Sequence, residues 1–277
     1  MELKVLGSVS PYPKDNKNGV SNLIVDADYK ILLDCGTGST RLLDMEKDLN
    51  NLIVIISHLH KDHYADLLPL SYASYVYHNL GYLKNKVKVY IPKGDRRENI
   101  ETYYYNDGWG GQEKITLSNL EDYDYLMSFG KESYLDFIPY TGSDEIICGN
   151  MKVEFALNPH NLKTYAAKVT NNNNNNSLVY SSDTGFENNR LVNFAKEADL
   201  LICESTFLRG QIKNGDNHLF AYEAGLIAKE ANVKELLLTH FYPEIDKQKY
   251  VDEAKEVFEN VKAAEEGKVY KIGGKNV

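Results

Sequence analysis

Apolar residues fall in short runs at 3–9, 23–26, 30–34, 52–57, 87–91, 151–157, 165–169, 178–182, 200–203 and 235–239, and each run reads as a β-strand. Some runs lie too close together for a helix to fit between them. The pair 23–26 and 30–34 therefore predicts a hairpin, and with it some antiparallel pairing. Longer stretches with apolar residues at helical spacing predict helices at about 40–49, 66–80, 219–231 and 247–265. In the last of these, Val251, Ala254, Val257, Phe258 and Val261 repeat on one side, and Asp246 is placed to cap the start. Strands covered by helices in this way predict a layered α/β sandwich. The asparagine run 171–176 cannot bury area and predicts a protruding hairpin loop between two strands.

The apolar share, 43% of 277 residues, suffices for a single domain over 1–277. The rhythm breaks at about 93–150, which holds 12 acidic residues, 5 basic residues and seven tyrosines. This acidic, tyrosine-rich stretch reads as an insertion whose tyrosines pack on the domain, in preference to a substrate lid. Tyr103, Tyr104, Tyr105 and Trp109 are its candidates for stacking on a base or an apolar group. No run is long enough to span a membrane, and Met1 to Ser10 lacks a signal-peptide pattern, so a cytoplasmic location is expected. Cys35, Cys148 and Cys203 are odd in number and widely spaced, which points to free buried thiols. The net charge of −9 disfavours a long basic track for nucleic acid.

Candidate chemistry concentrates in Ser57-His58-Leu59-His60-Lys61-Asp62-His63, at the end of an apolar strand and ahead of a helix. A turn there lets His58 and His60 point one way while Asp62 and His63 face a second point, giving two half-built metal sites. Imidazole and carboxylate ligands suit divalent cations, zinc foremost, with manganese or iron as options. Two such ions about 3.5–4 Å apart would hold a bridging hydroxide at neutral pH. The missing ligands must come from downstream, and His160, Asp183 and His240 each end a strand-like run. His78, inside a helical stretch, reads as structural or exposed.

Taken together, the H-x-H-x-D-H turn, His160, Asp183 in Ser182-Asp183-Thr184-Gly185 and His240 in Leu238-Thr239-His240 resemble the metal motifs of the metallo-β-lactamase superfamily. The resemblance spans nearly the whole chain and implies the α/β four-layer αββα sandwich. It implies His58, His60 and His160 on one metal, Asp62, His63 and His240 on the other, and Asp183 bridging. Asp34, followed by Cys35-Gly36-Thr37-Gly38, resembles the family's early aspartate, which supports the histidine turn from behind the ligands.

Two further segments point to the ribonuclease Z-like branch. Leu201-Ile202-Cys203-Glu204-Ser205-Thr206-Phe207 resembles its "HEAT" motif and His218-Leu219-Phe220 its "HST" motif. Cys203, Ser205, Leu219 and Phe220 depart from the pattern, while Glu204 and His218 are kept. The resemblance implies that His218 stabilises or protonates the leaving oxygen and that Glu204 orients it; in-line attack on phosphorus needs such an acid opposite the nucleophile. Asp62 is the candidate for assisting as ligand and base. The sequence shows no glycine-rich basic arm of the kind tRNA-processing members carry. The expectation is a metal-dependent hydrolase of small phosphodiesters. It stands ahead of a true tRNA 3′-processing endoribonuclease acting on RNA 3′ ends, a thioester or other ester hydrolase, and a non-catalytic metal-binding scaffold. No membrane partner is expected, and a homodimer is left open.

Overall fold

The computed structural model describes residues 1–93, 100–106, 112–118, 120–186, 189–213 and 215–273. In chain order its elements are β1 (Glu2–Gly7), β2 (Ser21–Asp26), β3 (Tyr29–Leu33), α1 (Met45–Asp48), β4 (Leu52–Ile55), α2 (Lys61–Tyr64), α3 (Leu67–Asn79), β5 (Val87–Pro92), β6 (Ile100–Asn106) and β7 (Gln112–Ser118). There follow α4 (Leu120–Glu132), β8 (Leu135–Tyr140), β9 (Ile146–Cys148), β10 (Met151–Leu157), β11 (Tyr165–Asn171), β12 (Ser177–Tyr180), α5 (Arg190–Phe194), β13 (Leu200–Glu204), α6 (Ala221–Glu230), β14 (Leu236–Thr239), α7 (Lys247–Lys255), β15 (Val261–Ala263) and β16 (Val269–Lys271).

Two seven-stranded sheets result, in the orders β16-β1-β2-β3-β4-β5-β8 and β15-β14-β13-β12-β11-β10-β9. In each, an antiparallel half passes into a parallel one: β3, β4, β5 and β8 run together, as do β12, β13, β14 and β15. Strand alternation divides the side chains between two faces. Ile31 and Leu33 face the core between the sheets, against Val153, Val169 and Tyr180. Leu32 points the other way, into the layer under α3 with Leu67 and Leu70. Leu201 and Leu238 lie under α6 and α7 with Ile227 and Val251. The continuous apolar runs of the parallel strands reflect burial on both faces. The order is helices, sheet, sheet, helices, the expected αββα arrangement.

Some boundaries differ from the sequence reading. The helix expected at 40–49 is a 3-10 turn, Ser39–Leu42, followed by α1, because Asp44 leaves the helical conformation and its carboxylate caps the Lys47 amide. The helix expected at 247–265 stops at Lys255. The Ala254 carbonyl accepts from both Val257 and Phe258, and Val261 then pairs with Leu236 as the edge strand β15. Within 93–150, β8 pairs with β5 and β9 with β10, so these segments belong to the two sheets. The hairpin β6-β7 forms a sheet of its own. Trp109 and the side chains of Tyr103, Tyr104 and Tyr105 lie outside the described residues. The asparagine run links β11 to β12, as expected of a hairpin loop.

Helix α3 carries no charged side chain along its 13 residues. Its inner face buries Leu67, Leu70 and Ser74, while Leu68, Tyr72, Tyr75 and Val76 stand exposed on the outer one. Among the described residues no helix is long and apolar enough to cross a membrane.

Candidate metal centre

The candidate residues arrive at the carboxyl ends of strands that run in one direction, where open α/β sheets place their ligands. His58 and His60 follow β4, His160 follows β10, Asp183 follows β12, Glu204 ends β13, and His240 follows β14, while α2 carries Asp62 and His63. Three of these strand ends turn on a left-handed residue, Asp34 (φ 58°), Ser182 (φ 53°) and His240 (φ 64°). Non-glycine residues hold that conformation at a cost of about 1–3 kcal/mol each, and only where the surroundings impose it.

Seven side chains converge in two groups that share one carboxylate. His58, His60, His160 and Asp183 bring their ligand atoms within 4.8 Å of one another, and so do Asp62, His63 and His240. His58 Nε2 lies 2.9 Å from His60 Nδ1 and 3.5 Å from Asp183 Oδ2. The other Asp183 oxygen, Oδ1, is 3.0 Å from His240 Nε2 and 3.4 Å from His63 Nε2. Asp183 thus faces both groups, one oxygen to each.

Hydrogen bonds behind the rings decide which nitrogen faces inward. His160 Nδ1 donates to the Asn217 carbonyl (3.0 Å) and His63 Nδ1 to Asp34 Oδ2 (2.7 Å), partners that can only accept. Thr206 Oγ1 donates to Glu204 Oε2 and so accepts from His240 Nδ1 at 2.8 Å. Ser57 Oγ donates to Asp34 Oδ2, leaving it to accept from His58 Nδ1 at 3.1 Å. Four rings therefore turn the lone pair of Nε2 inward, the form that ligates a metal.

Three of the inward atoms lack partners. His63 Nε2, His240 Nε2 and Asp183 Oδ1 are buried with no hydrogen bond among the described residues. With lone pairs on both Nε2 atoms, three acceptors face one another at 3.0 and 3.4 Å, an arrangement relieved by positive charge between them, a proton or a metal ion. Electrostatics agree with this. Burial holds His58 and His160 below the ordinary histidine range and takes His60 down to about 4, so all three are neutral ligands. At His63, burial opposes a charge, yet Asp183, Asp62 and Asp34 together raise its pKa: the carboxylates favour positive charge at that point. The residues present fit two divalent cations.

Asp34 organises the first side of the centre. It is fully buried and accepts from the Ser57 amide, the Ser57 hydroxyl, His63 Nδ1 and the Tyr180 hydroxyl (2.7 Å). On the opposite side Glu204, 1% exposed, accepts from the Thr184 amide, the Thr206 amide and hydroxyl, and His218 Nδ1 at 2.9 Å. Burial pushes His218 down, but the Glu204 carboxylate outweighs it and holds its pKa up at about 9. The Glu204 carboxylate thus favours the protonated form of the ring. Its side chain is 24% exposed and its Nδ1 lies 4.0 Å from Asp183 Oδ2, which puts the ring on the rim of the centre.

The sequence reading missed several supports. Ser10 donates to Asp62 Oδ2 at 2.8 Å, Tyr180 and Ser57 hold Asp34, Ser182 donates to Ser57, and Thr206 ties His240 to Glu204. Ser57, Ser182 and Thr206 carried a signal, each as part of a motif segment around the ligands or Glu204. His78 stays apart from both ligand groups, bonded to the Leu83 carbonyl. All three cysteines are free and buried.

The family model described as anti-Pycsar protein Apyc1 matches residues 1–266. The chain belongs to that family. Among its relatives is the probable metallo-hydrolase YhfI of Bacillus subtilis, 29% identical, with 87% of this chain and 86% of the relative aligned. The crystal structure of that metallo-β-lactamase fold protein superposes with a TM-score of 0.79 over 97% of this chain and 98% of the other, at 27% identity. Ribonuclease Z of Archaeoglobus fulgidus is 25% identical over 96% of this chain and 95% of the relative. The short form of human tRNase Z, 19% identical, shares the fold with a TM-score of 0.69 over 98% of this chain and 99% of that one. The chain is thus a metallo-β-lactamase-fold member of a metallo-hydrolase family, with a His/Asp cluster able to hold metal ions.

Proposed function

We propose that the protein is a dinuclear-metal phosphodiesterase that hydrolyses a small phosphodiester. The observation that carries this reading is the Glu204–His218 pair on the rim of the ligand cluster, 2.9 Å between Oε1 and Nδ1. A pair of divalent cations held by His58, His60, His160, Asp62, His63, His240 and Asp183 would supply hydroxide near neutral pH and neutralise charge on the phosphoryl oxygens. His218, held protonated by Glu204, donates its Nε2 proton to the leaving oxygen, the step a poor leaving group needs most. Asp62, anchored by Ser10 and 19% exposed, is the carboxylate on the open side that takes up the nucleophile's proton. The net charge of −9 favours a small ligand over a long polyanion. We extend to this chain the anti-Pycsar role in the family's description, exerted through hydrolysis of such a diester.

The test is metal content measured together with hydrolysis of bis-p-nitrophenyl phosphate and of a cyclic nucleotide, for wild type and His218→Ala. Two metals per chain in both proteins, with turnover lowered only in the variant, support the proposal. No turnover with zinc, manganese or iron would overturn it. The similarity to ribonuclease Z favours a second reading, cleavage at the 3′ end of precursor tRNA. That activity would show a rate falling steeply with added salt, as release of counterions demands.

A further inference from the structure

We propose that Gly185 is a positioning residue that couples the first ligand group to His218 through the segment 215–218. The inference rests on the phosphodiesterase reading and concerns how its acid is seated. Two functions meet on that segment. The Asn217 carbonyl accepts from His160 Nδ1 at 3.0 Å and so turns Nε2 of a ligand inward; the next residue is the acid itself. A shift of the segment would therefore disturb both.

Gly185 is what the segment rests on. A Cβ at this position would lie 1.6 Å from the Asp216 carbonyl oxygen, 2.7 Å from its carbon and 3.3 Å from the Pro159 carbonyl. No side chain fits, so the constraint is one of space between two backbones. The Gly185 amide also donates to Pro159, immediately before His160, at 2.7 Å. Gly185 thus lies wedged between the loop of a ligand and the loop of the acid. Its neighbours complete the arrangement: Asp183 faces both ligand groups, and the Thr184 amide holds Glu204 Oε1 at 3.1 Å. Three consecutive residues set the shared ligand, the orienting carboxylate and the seat of the acid.

From its far side the loop is held in place. Lys213 Nζ bonds Glu223 Oε2 at 2.6 Å and lies 4.0 Å over the Phe220 ring, which fixes the loop to the start of α6. An added methyl group at 185 cannot be accommodated by a rigid drift of the whole loop. It must displace the Asp216 carbonyl, and Asn217 and His218 with it.

The experiment uses zinc alone as the probe, with wild type and Gly185→Ala. Competition with a chromophoric chelator should show one zinc site of Gly185→Ala weakened about 10- to 100-fold, as for other losses of support behind a metal ligand, with the second site unchanged. At saturating zinc, the variant should lose at least about tenfold in turnover of a diester with an alcohol leaving group, and less with a nitrophenolate. In the wild type itself, zinc should slow hydrogen exchange of the 215–218 amides, a readout independent of whether the variant folds. Wild-type zinc affinities in a folded Gly185→Ala, equal weakening of both sites, or exchange at 215–218 indifferent to zinc would each overturn the proposal. Absence of turnover on any diester would sink the phosphodiesterase reading and leave the zinc and exchange results to stand on their own.

Discussion

Replacing Glu204 with glutamine keeps the size of the side chain and removes the charge that holds His218 protonated. The interval between a pKa of about 9 and the ordinary 6.5 corresponds to about 3 kcal/mol of preference for the charged ring. The sign follows from the shift: a raised histidine pKa means that the acid form is present below about 9 and is lost above it. Without the carboxylate, burial and His63 lower the pKa while Asp183 still raises it, so the ring returns toward the ordinary 6.5. At pH 8 the protonated fraction would fall from about nine-tenths to about 3% at a pKa of 6.5, a loss of roughly 30-fold in kcat/KM where proton donation limits the rate. Cations at Asp183 would lower the alkaline limbs of both proteins, so the separation between the limbs is the quantity to measure. The assay is kcat/KM against pH at saturating zinc, on a diester that expels an alcohol and on one that expels nitrophenolate. Glu204→Gln should move the alkaline limb to lower pH by about two units on the first substrate and cost little on the second. Coincident limbs, or equal losses on both substrates, would refute the assignment of His218 as acid and Glu204 as its support.

Asp34→Ala should lower metal affinity by about 10- to 100-fold, because His63 loses the acceptor that fixes its tautomer and Ser57 the acceptor that leaves its oxygen free for His58; chelator competition measures this, with the Asp62–His63–His240 group affected most. Removing metal with a chelator should lower the melting temperature, since ions at 100 times their Kd add about 2.7 kcal/mol to stability; an unchanged melt would contradict the cation fit.

Much of this centre was legible in the chain because histidine is scarce in it. With seven histidines in all, four potential ligands within 58–63 and three more strand-end candidates leave few ways to explain them separately. The sheets were legible where both faces are buried, as in Leu52–Ile55. Strand β8 escaped because Asp136 is exposed and Pro139 interrupts its apolar run, although Leu135, Phe137 and Tyr140 are buried. The end of the last helix escaped because Val261 keeps helical spacing while its backbone pairs with Leu236. The supports of the centre were hidden for a different reason. Tyr180 reaches Asp34 across 146 positions, and Ser10 reaches Asp62 across 52. Such partners depend on how the two sheets face each other, which no local pattern encodes.

The centre draws its ligands from the ends of strands in both sheets, the first at His58 and the last at His240. No fragment that ends before β14 can complete it, however well its own strands pair. The growing polypeptide therefore presents scattered histidines, and a high-affinity site comes into being only after the late strands have docked. Ions captured at that moment would act by mass action on the finished molecule and slow its opening. Metal supply during synthesis would then set how much of the folded chain persists, separately from any turnover.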